Sequence, residues 1–391
     1  MQSAEDIRSR IAGELAEFDH SPRTRIVFGE DAVERVGELA RELGARRALM
    51  VTDKGIVAAG HAGRACGFIA AAGLQIEVFD QVRENPTTVD VARCLEVARQ
   101  ADADILIGMG GGSSMDTAKG CNFLLTNGGE MRDYWGVGKA TKPMLPLIAV
   151  PTTAGTGSEC QCAALIADEE THQKMACLDS KAAARVAILD PLLTVSQPAA
   201  VTACTGVDAL AHALESAVTR KRNPISAIYA REAFRLCFLS LGRVLEHPQD
   251  VEARARMQLG AAFGGLAIEN SMLGAAHAAA NPLTAYHGVV HGQAVGLMLP
   301  SVIEFNALLP EIESVYIDLA LHAGLRSVHD LVLGLRKLLA LAGLEASLAS
   351  FGVTRQGISA LADDAAKQWT AQFNPREIHA TDFAKLYADA L

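Results

Sequence analysis

A chain of 391 residues that is 50% hydrophobic and 20% charged is long enough for two well-filled domains and is not a disordered sequence. Its formal net charge of −10 excludes the basic footprint of a nucleic-acid binder. No apolar run reaches the roughly 18 residues that suggest a membrane span. The opening MQSAEDIRSRIAGELAEF has no apolar signal region, so it reads as a short amphipathic helix on a cytoplasmic protein.

The first half then alternates short apolar runs with helical stretches. Strands are predicted at Ala48–Thr52, Gln75–Phe79, Ile105–Met109, Leu147–Val150 and Val186–Leu189, with helices over Asp31–Leu43 and Thr87–Gln100 among them. Strand, helix, strand in succession is the pattern of a parallel sheet covered by helices. The segment DPLLTVSQP (190–198) carries two prolines and closes this regime. Beyond it only helical periods are seen: 199–219, 225–246, 250–280, 290–308, 311–324, 328–342 and a helical tail. The expected architecture is an α/β nucleotide-binding domain over 1–196 followed by an all-α, metal-binding domain over 197–391. Eight cysteines are scattered through both halves. The close pair Cys160 and Cys162, expected on one strand face, has no second pair at zinc-site spacing and reads as core thiols.

Residues 105–120, ILIGMGGGSSMDTAKG, run from a buried strand through Gly110, Gly111 and Gly112 into a helix opening near Ser113. Glycines let backbone N–H groups approach a ligand, and the helix N-terminus adds orphan donors and a positive dipole end. That combination seats a pyrophosphate. A second loop of small and hydroxyl residues, PTTAGTGSE (151–159), follows the next strand. Paired loops at the carboxyl ends of neighbouring strands are where α/β sheets bind nucleotides. The usual acid downstream of the glycines is absent. Asp53 instead follows the first predicted strand, placed to hold an adenosine ribose, and Asn85-Pro86 makes a rigid turn after the second.

In VDALAHALE (207–215), Asp208 and His212 stand one helical turn apart on an otherwise greasy face. His277 and His291 follow in GAAHAAANPLTAYHGVVHG, with Pro282 between them, so His277 is expected to end one helix and His291 to begin the next. One carboxylate and three imidazoles suit Fe(II), Zn(II) or a similar divalent ion. Taken singly, each histidine reads better as a satisfied polar residue at a helix end, and only the four together bring the metal site level with that reading. His287 is a candidate proton donor and equally a loop residue.

These motifs, in this order, resemble the iron-containing alcohol dehydrogenases, which share a fold with glycerol dehydrogenase and dehydroquinate synthase. GGGSSMDTAK is similar to the family's first nucleotide loop and PTTAGTGSE to its second. GVDALAHALES resembles its metal helix, VHG (290–292) its last-ligand motif and NPR (374–376) its closing segment. The resemblance spans nearly the whole chain. It implies an active site in the cleft between two domains, and a dimer or larger homo-oligomer. It implies a metal, Fe(II) first and Zn(II) second, on Asp208, His212, His277 and His291. It implies NAD contacts from Asp53, Asn85, Gly111, Gly112, Ser113, Asp116, Thr152, Thr153, Thr156 and Lys174. Two positions depart from the family pattern. Asn281 stands where a proton-carrying histidine is common, and Ile268 where a phenylalanine often precedes the third ligand. Both changes fall on the expected substrate pocket.

The implied reaction is reversible hydride transfer between nicotinamide and a small alcohol or diol. With Asn281 unable to titrate, the proton is expected to leave through His287, a ribose hydroxyl or water. A dehydroquinate synthase-like lyase and a maleylacetate reductase-like reductase of an unsaturated acid share the fold. Both want cationic substrate contacts, and the ligand segments are poor in Lys and Arg.

Overall fold

The apolar runs of the first half pair side by side and in one direction. The computed structural model describes residues 16–391 with the exception of His172. The amphipathic helix expected at the N-terminus falls almost wholly outside the described residues. The strands are β1 (Arg25–Phe28), β2 (Arg47–Val51), β3 (Gln75–Phe79), β4 (Ile105–Gly110), β5 (Gly136–Val137), β6 (Leu147–Pro151), β7 (Ala163–Ala167), β8 (Lys174–Leu178) and β9 (Val186–Leu189). Six of them form one sheet in the order β1-β9-β6-β4-β2-β3, with every pairing parallel. The inner strands β4, β6 and β9 are buried along their whole length, which is why they read as unbroken apolar runs.

Helices α1 (Val36–Glu42), α2 (Lys54–Ala58), α3 (His61–Ala71), α4 (Thr88–Gln100) and α5 (Gly112–Asn127) connect these strands. Successive strand residues feed two separate cores. Leu49 and Leu106 pack with Val91, Cys94 and Phe123 on one face, while Met50 and Ile107 pack with Val36, Leu39 and Ile69 on the other. The ends of β2, β4 and β6 deliver Asp53, Gly111 and Thr152 to the same edge of the sheet.

Beyond residue 197 the described residues contain no strand. The helices there are α6 (Ala199–Val218), α7 (Pro224–Glu246), α8 (Val251–Glu269), α9 (Ala275–His287), α10 (His291–Asn306), α11 (Pro310–His322), α12 (Val328–Leu341), α13 (Ile358–Lys367) and α14 (Ala380–Asp389). The chain divides into two compact units. One joins Ser21–Thr153 with Gly157–Gln197, and the other joins Ala154–Thr156 with Pro198–Leu391.

Three local expectations need correction. The period over 250–280 is broken: α8 ends at Glu269 and α9 starts at Ala275, so His277 stands in the first turn of a helix and does not end one. His291 does open α10. Cys160 lies in a 3₁₀ turn (Ser158–Cys160) with Cys162 outside any strand, and all eight cysteines are free. A second sheet, in the order β5-β8-β7, is built from three strands that were not among those expected, β5 before the second glycine loop and β7 and β8 after it.

Helix α6 is buried on every side from Gly206 to Val218 and forms the axis of the helical unit. Helix α10 lies against it at backbone distance. A Cβ at Gly292 would stand 2.1 Å from the Cys204 carbonyl oxygen, and one at Gly296 would stand 2.6 Å from Val207 Cγ1. Gly292→Ala should therefore push α10 away and cost ~1–3 kcal/mol, read as a lower Tm. Gly63→Ala in α3, where nothing lies within 4 Å of the new methyl, is the control and should be neutral or slightly stabilising. Equal Tm values for the two variants would show that α10 can retreat at no cost.

Candidate metal centre and nucleotide loops

Three helices aim their ligand atoms at one point. Asp208 and His212 leave one face of α6, His277 comes from the first turn of α9, and His291 is the first residue of α10. The ligand atoms of Asp208, His277 and His291 all lie within 4.8 Å of one another. Asp208 Oδ1 is 3.3 Å from His277 Nε2, 3.4 Å from His212 Nε2 and 3.9 Å from His291 Nε2. His212 joins the set through Asp208, and its ring stacks on that of His277 at 5.0 Å. Asp208, His212 and His277 are each no more than 6% exposed, while the His291 side chain is 30% exposed.

Asp208 Oδ1 and His277 Nε2 are buried without a hydrogen-bond partner. Leaving two such atoms unpaired is costly. A divalent cation satisfies both at once, and one carboxylate with three imidazoles is a fitting donor set for iron or zinc. Burial alone would push the Asp208 carboxyl up, but the His212, His277 and His291 rings outweigh it and hold it well below the usual carboxylate range. Burial pushes the His212 imidazole down. At His277 burial also works downward, yet Glu215 and Asp208 outweigh it and raise the ring to about 9. The cluster is therefore set between two buried carboxylates, Asp208 and Glu215.

Sequence reasoning missed the residues that orient these ligands. Glu215, also buried, sits two turns after Asp208 on the same face of α6. Its Oε2 pairs with His277 Nδ1, and its Oε1 accepts the Ala276 backbone N–H at 2.7 Å. One carboxylate thus fixes the His277 tautomer and caps the N-terminus of the helix that carries it. The signal was present in VDALAHALE, where Asp, His and Glu recur at helical spacing. His212 is oriented similarly, with Nδ1 3.2 Å from the Gly155 carbonyl oxygen. Asn374 explains the closing NPR: its Oδ1 accepts from Ala275 N at 3.3 Å and from Asn306 Nδ2 at 3.1 Å.

The other predicted pocket residues separate. Asn281 stands one turn beyond His277 on α9 and donates to Gln368 Oε1 at 3.0 Å. Ile268 is buried near the end of α8, one turn beyond Gly264, whose missing Cβ would touch His212 Cβ at 3.5 Å. It shares the helix face that meets the ligands. His287 closes α9, ten residues and roughly 15 Å of helical rise from His277. Its Nδ1 lies 3.1 Å from the Phe351 carbonyl oxygen. The structure does not bring it to the ligand cluster.

In the α/β unit, Gly110 adopts φ +146°, and a Cβ there would meet Ser114 Oγ at 2.4 Å. No side chain caps α5 at Gly111, so Gly112 and Ser113 open the helix with unclaimed N–H groups. Gly111 approaches Thr153 of the second loop closely enough that its Cβ would lie 3.5 Å from Cγ2. Thr152 donates its N–H to Gly110 O at 2.9 Å. The hydroxyls of Thr52 and Ser114 are buried without partners at this edge. These features fit a dinucleotide's phosphates. Asp53 caps α2 through Oδ1, which accepts from Gly55 N and Ile56 N at 2.8 and 3.1 Å. Its Oδ2 faces Gly110, at 3.4 Å from where a Cβ would be. Asn85 holds the left-handed turn at φ 51° and accepts from Lys174 Nζ at 3.5 Å.

Asp116 is committed internally, accepting from Ser158 Oγ at 3.0 Å. The fully buried Lys119 was also missed. Its ammonium donates to Ser158 O, Ser158 Oγ and Ala163 O at 2.7, 2.9 and 2.9 Å. It ties the first loop's helix to the end of the second loop and to the strand that follows it. Thr156 falls in the helical unit.

Sequence comparison matches residues 22–191 to the iron-containing alcohol dehydrogenase family and residues 202–391 to the C-terminal part of the same family. The NAD-dependent methanol dehydrogenase of Bacillus methanolicus is 33% identical over 371 residues, covering 93% of this chain and 97% of that protein. The lactaldehyde reductase of Escherichia coli (strain K12) is 32% identical over 379 residues, covering 93% and 97%. A crystal structure of a 1,3-propanediol oxidoreductase superposes with a TM-score of 0.91 at 32% identity, covering 96% of this chain and all of that one.

Glu215→Gln keeps the shape of the α9 cap but removes the charge behind His277. Metal retained after dialysis should fall about 10–100-fold in affinity, and unchanged retention would leave Glu215 with a capping role only. A second prediction concerns Glu159, which is 2% exposed. Burial pushes its carboxyl from 4.5 up to about 7, against its own backbone hydrogen bond and Lys119. The folded state therefore binds a proton that the unfolded state releases, so stability falls as pH rises through that window and the penalty is complete above it. Glu159→Gln should raise Tm more at pH 8 than at pH 5, by the equivalent of ~3 kcal/mol at most. A difference that does not widen with pH would mean that Glu159 is already ionised at pH 5.

Proposed function

Because the chain belongs to the iron-containing alcohol dehydrogenase family and is an NAD-dependent alcohol dehydrogenase and aldehyde reductase, we propose that Asp208, His212, His277 and His291 hold its divalent iron. Zinc is the second choice of ion. NAD is held by the loops after β2, β4 and β6, with Asp53, Asn85, Gly111, Gly112, Ser113, Thr152, Thr153 and Lys174 nearest to it, Asp116 acting from behind and Thr156 on the second loop. The observation that carries the metal site is the pair of buried, unpartnered ligand atoms on Asp208 and His277.

When bound, iron supplies Lewis acidity to a substrate oxygen and nicotinamide gives or takes the hydride. The chain's own residues do the rest. Glu215 holds His277 in the tautomer that presents Nε2, and Gly155 O does the same for His212. Asp208 contributes the only carboxylate charge among the ligands. Asn281 does not titrate and His287 is occupied at the far end of α9, so neither is placed to take the alcohol proton, for which bound NAD would offer a ribose hydroxyl and the solvent a water.

No Lys or Arg occurs in α6, α9 or α10. A phosphorylated or polycarboxylate substrate would meet no cation from the ligand helices, which supports a small neutral alcohol, aldehyde or diol over the lyase and unsaturated-acid readings. Ile268 leaves more room than an aromatic residue, and Asn281 adds a neutral polar group. No helix among the described residues is long and apolar enough to cross a membrane. The enzyme is proposed to work in the cytoplasm as a homodimer or larger assembly.

The test is a chain-length series of primary alcohols and 1,2-diols with NAD and NADP, run on metal-analysed protein. Turnover should favour substrates longer than ethanol, and NAD over NADP, because a carboxylate at Asp53 repels a 2′-phosphate. His277→Ala should lose the metal and all turnover while still binding NADH by fluorescence. A metal-free variant with near-normal kcat would overturn the assignment of the centre.

A further inference from the structure

We propose that Gln368 is a positioning residue for substrate choice: it locks Asn281 into a neutral amide pair one turn from His277, and that pair recognises a second, uncharged oxygen on the substrate. The inference rests on the metal centre described above and names the substrate class it serves, diols and hydroxyaldehydes.

His277 and Asn281 are four apart on α9, so both side chains leave the same face of that helix. An asparagine alone at a half-buried position would sample several rotamers. Here Asn281 Nδ2 donates to Gln368 Oε1 at 3.0 Å. Gln368 is itself held between α13 and the 3₁₀ turn Trp369–Phe373, with its backbone N–H on Ala365 O at 3.1 Å. The pair uses one N–H and one carbonyl. It leaves a free amide carbonyl on Asn281 and a free amino group on Gln368, and reversing both amides leaves the same complement. Donor and acceptor together are what a hydroxyl group needs.

Two further hydroxyls extend this neutral strip. Thr284, seven residues beyond His277 on α9, and Thr370, two residues beyond Gln368 and 4% exposed, each bury an Oγ1 with no hydrogen-bond partner. Both oxygens are fully enclosed, so they belong to the packing around the amide pair and are not contacts for a substrate. An anionic occupant fits poorly. Lys221 and Arg376 are stacked on the rings of Phe373 at 4.8 Å and Phe305 at 3.9 Å, and Lys367, the neighbour of Gln368, is turned to solvent. A site built to hydrogen-bond a substrate hydroxyl discriminates against the analogue that lacks it, because its own polar groups are then left unpaired.

The experiment compares kcat/KM for 1,2-propanediol with that for 1-propanol, and for lactaldehyde with that for propanal, in the iron-loaded enzyme and its variants. The unaltered enzyme should prefer the oxygenated member of each pair. Gln368→Met keeps the length and loses the amide, and should reduce that ratio about tenfold, through a higher KM for the oxygenated substrate and not a lower kcat. Asn281→Leu should do the same, and the double variant should be no worse than either single one, as expected of two residues acting as a unit. Gln368→Glu, which still accepts the Asn281 N–H, should keep most of the preference. Melting temperature and iron content are measured for each variant. A ratio that stays put in folded, iron-loaded Gln368→Met, or a drop shared equally by both members of each pair, overturns the role of Gln368. If the unaltered iron-loaded enzyme turns over none of the four, the reading of the metal centre itself has failed.

Discussion

A carboxylate buried to 5% exposure and surrounded by imidazoles governs the helical unit. Asp208 cannot remain charged there without compensation, and no Lys or Arg lies on the ligand helices to provide it. The compensation comes from residues far apart in the chain, so the helices that carry them must be brought to one point. Gly292 and Gly296 allow α10 to reach α6 at backbone distance, which sets His291 beside Asp208. Glu215 caps α9 and orients His277 with the same carboxylate. Removing one partner from such a buried set leaves the others uncompensated, an effect of roughly 3–5 kcal/mol. Metal binding and local stability are therefore one linked quantity at this centre.

The α/β unit solves a different problem by similar means. Its glycine loop must leave backbone N–H groups open, which removes the side chains that would normally hold a loop in place. The buried ammonium of Lys119 restores that order from behind, with two acceptors on Ser158 in the second loop and a third on Ala163 just after it. Asp116 adds a further tie through Ser158. Rigid loops lose little entropy when a nucleotide arrives. A residue that reads as a ligand contact in the sequence can thus serve the site by holding its frame.

Much of this was legible before any coordinates. The buried strands β4, β6 and β9 announced themselves as apolar runs, because both faces of an inner parallel strand are covered. The ligands Asp208 and His212 stood out as polar residues on a greasy helical face. What escaped detection has specific causes. Strand β1 is a four-residue edge with half its positions exposed, and β7 is mostly alanine, which carries little strand preference. The break between α8 and α9 falls at Asn270–Gly274, where Met272 and Leu273 kept the apolar period running past the true helix end. Lys119 escaped notice because nothing local shows that its acceptors lie some forty residues away.

The substrate side of the centre follows from charge as much as from shape. A divalent ion held by one carboxylate and neutral imidazoles would keep a net positive charge, and such a site would need no further cations to bind an alcohol oxygen. Further cations would serve only a substrate that is itself anionic. The ligand helices α6, α9 and α10 carry no Lys or Arg, and Asn281 adds a neutral amide. Selectivity must then come from hydrogen-bond complementarity and volume. Both depend on how firmly α9 and its neighbours hold their side chains. The same carboxylate, Glu215, that fixes His277 for the metal also fixes the first turn of the helix on which Asn281 stands, so ligand geometry and substrate geometry share a single anchor.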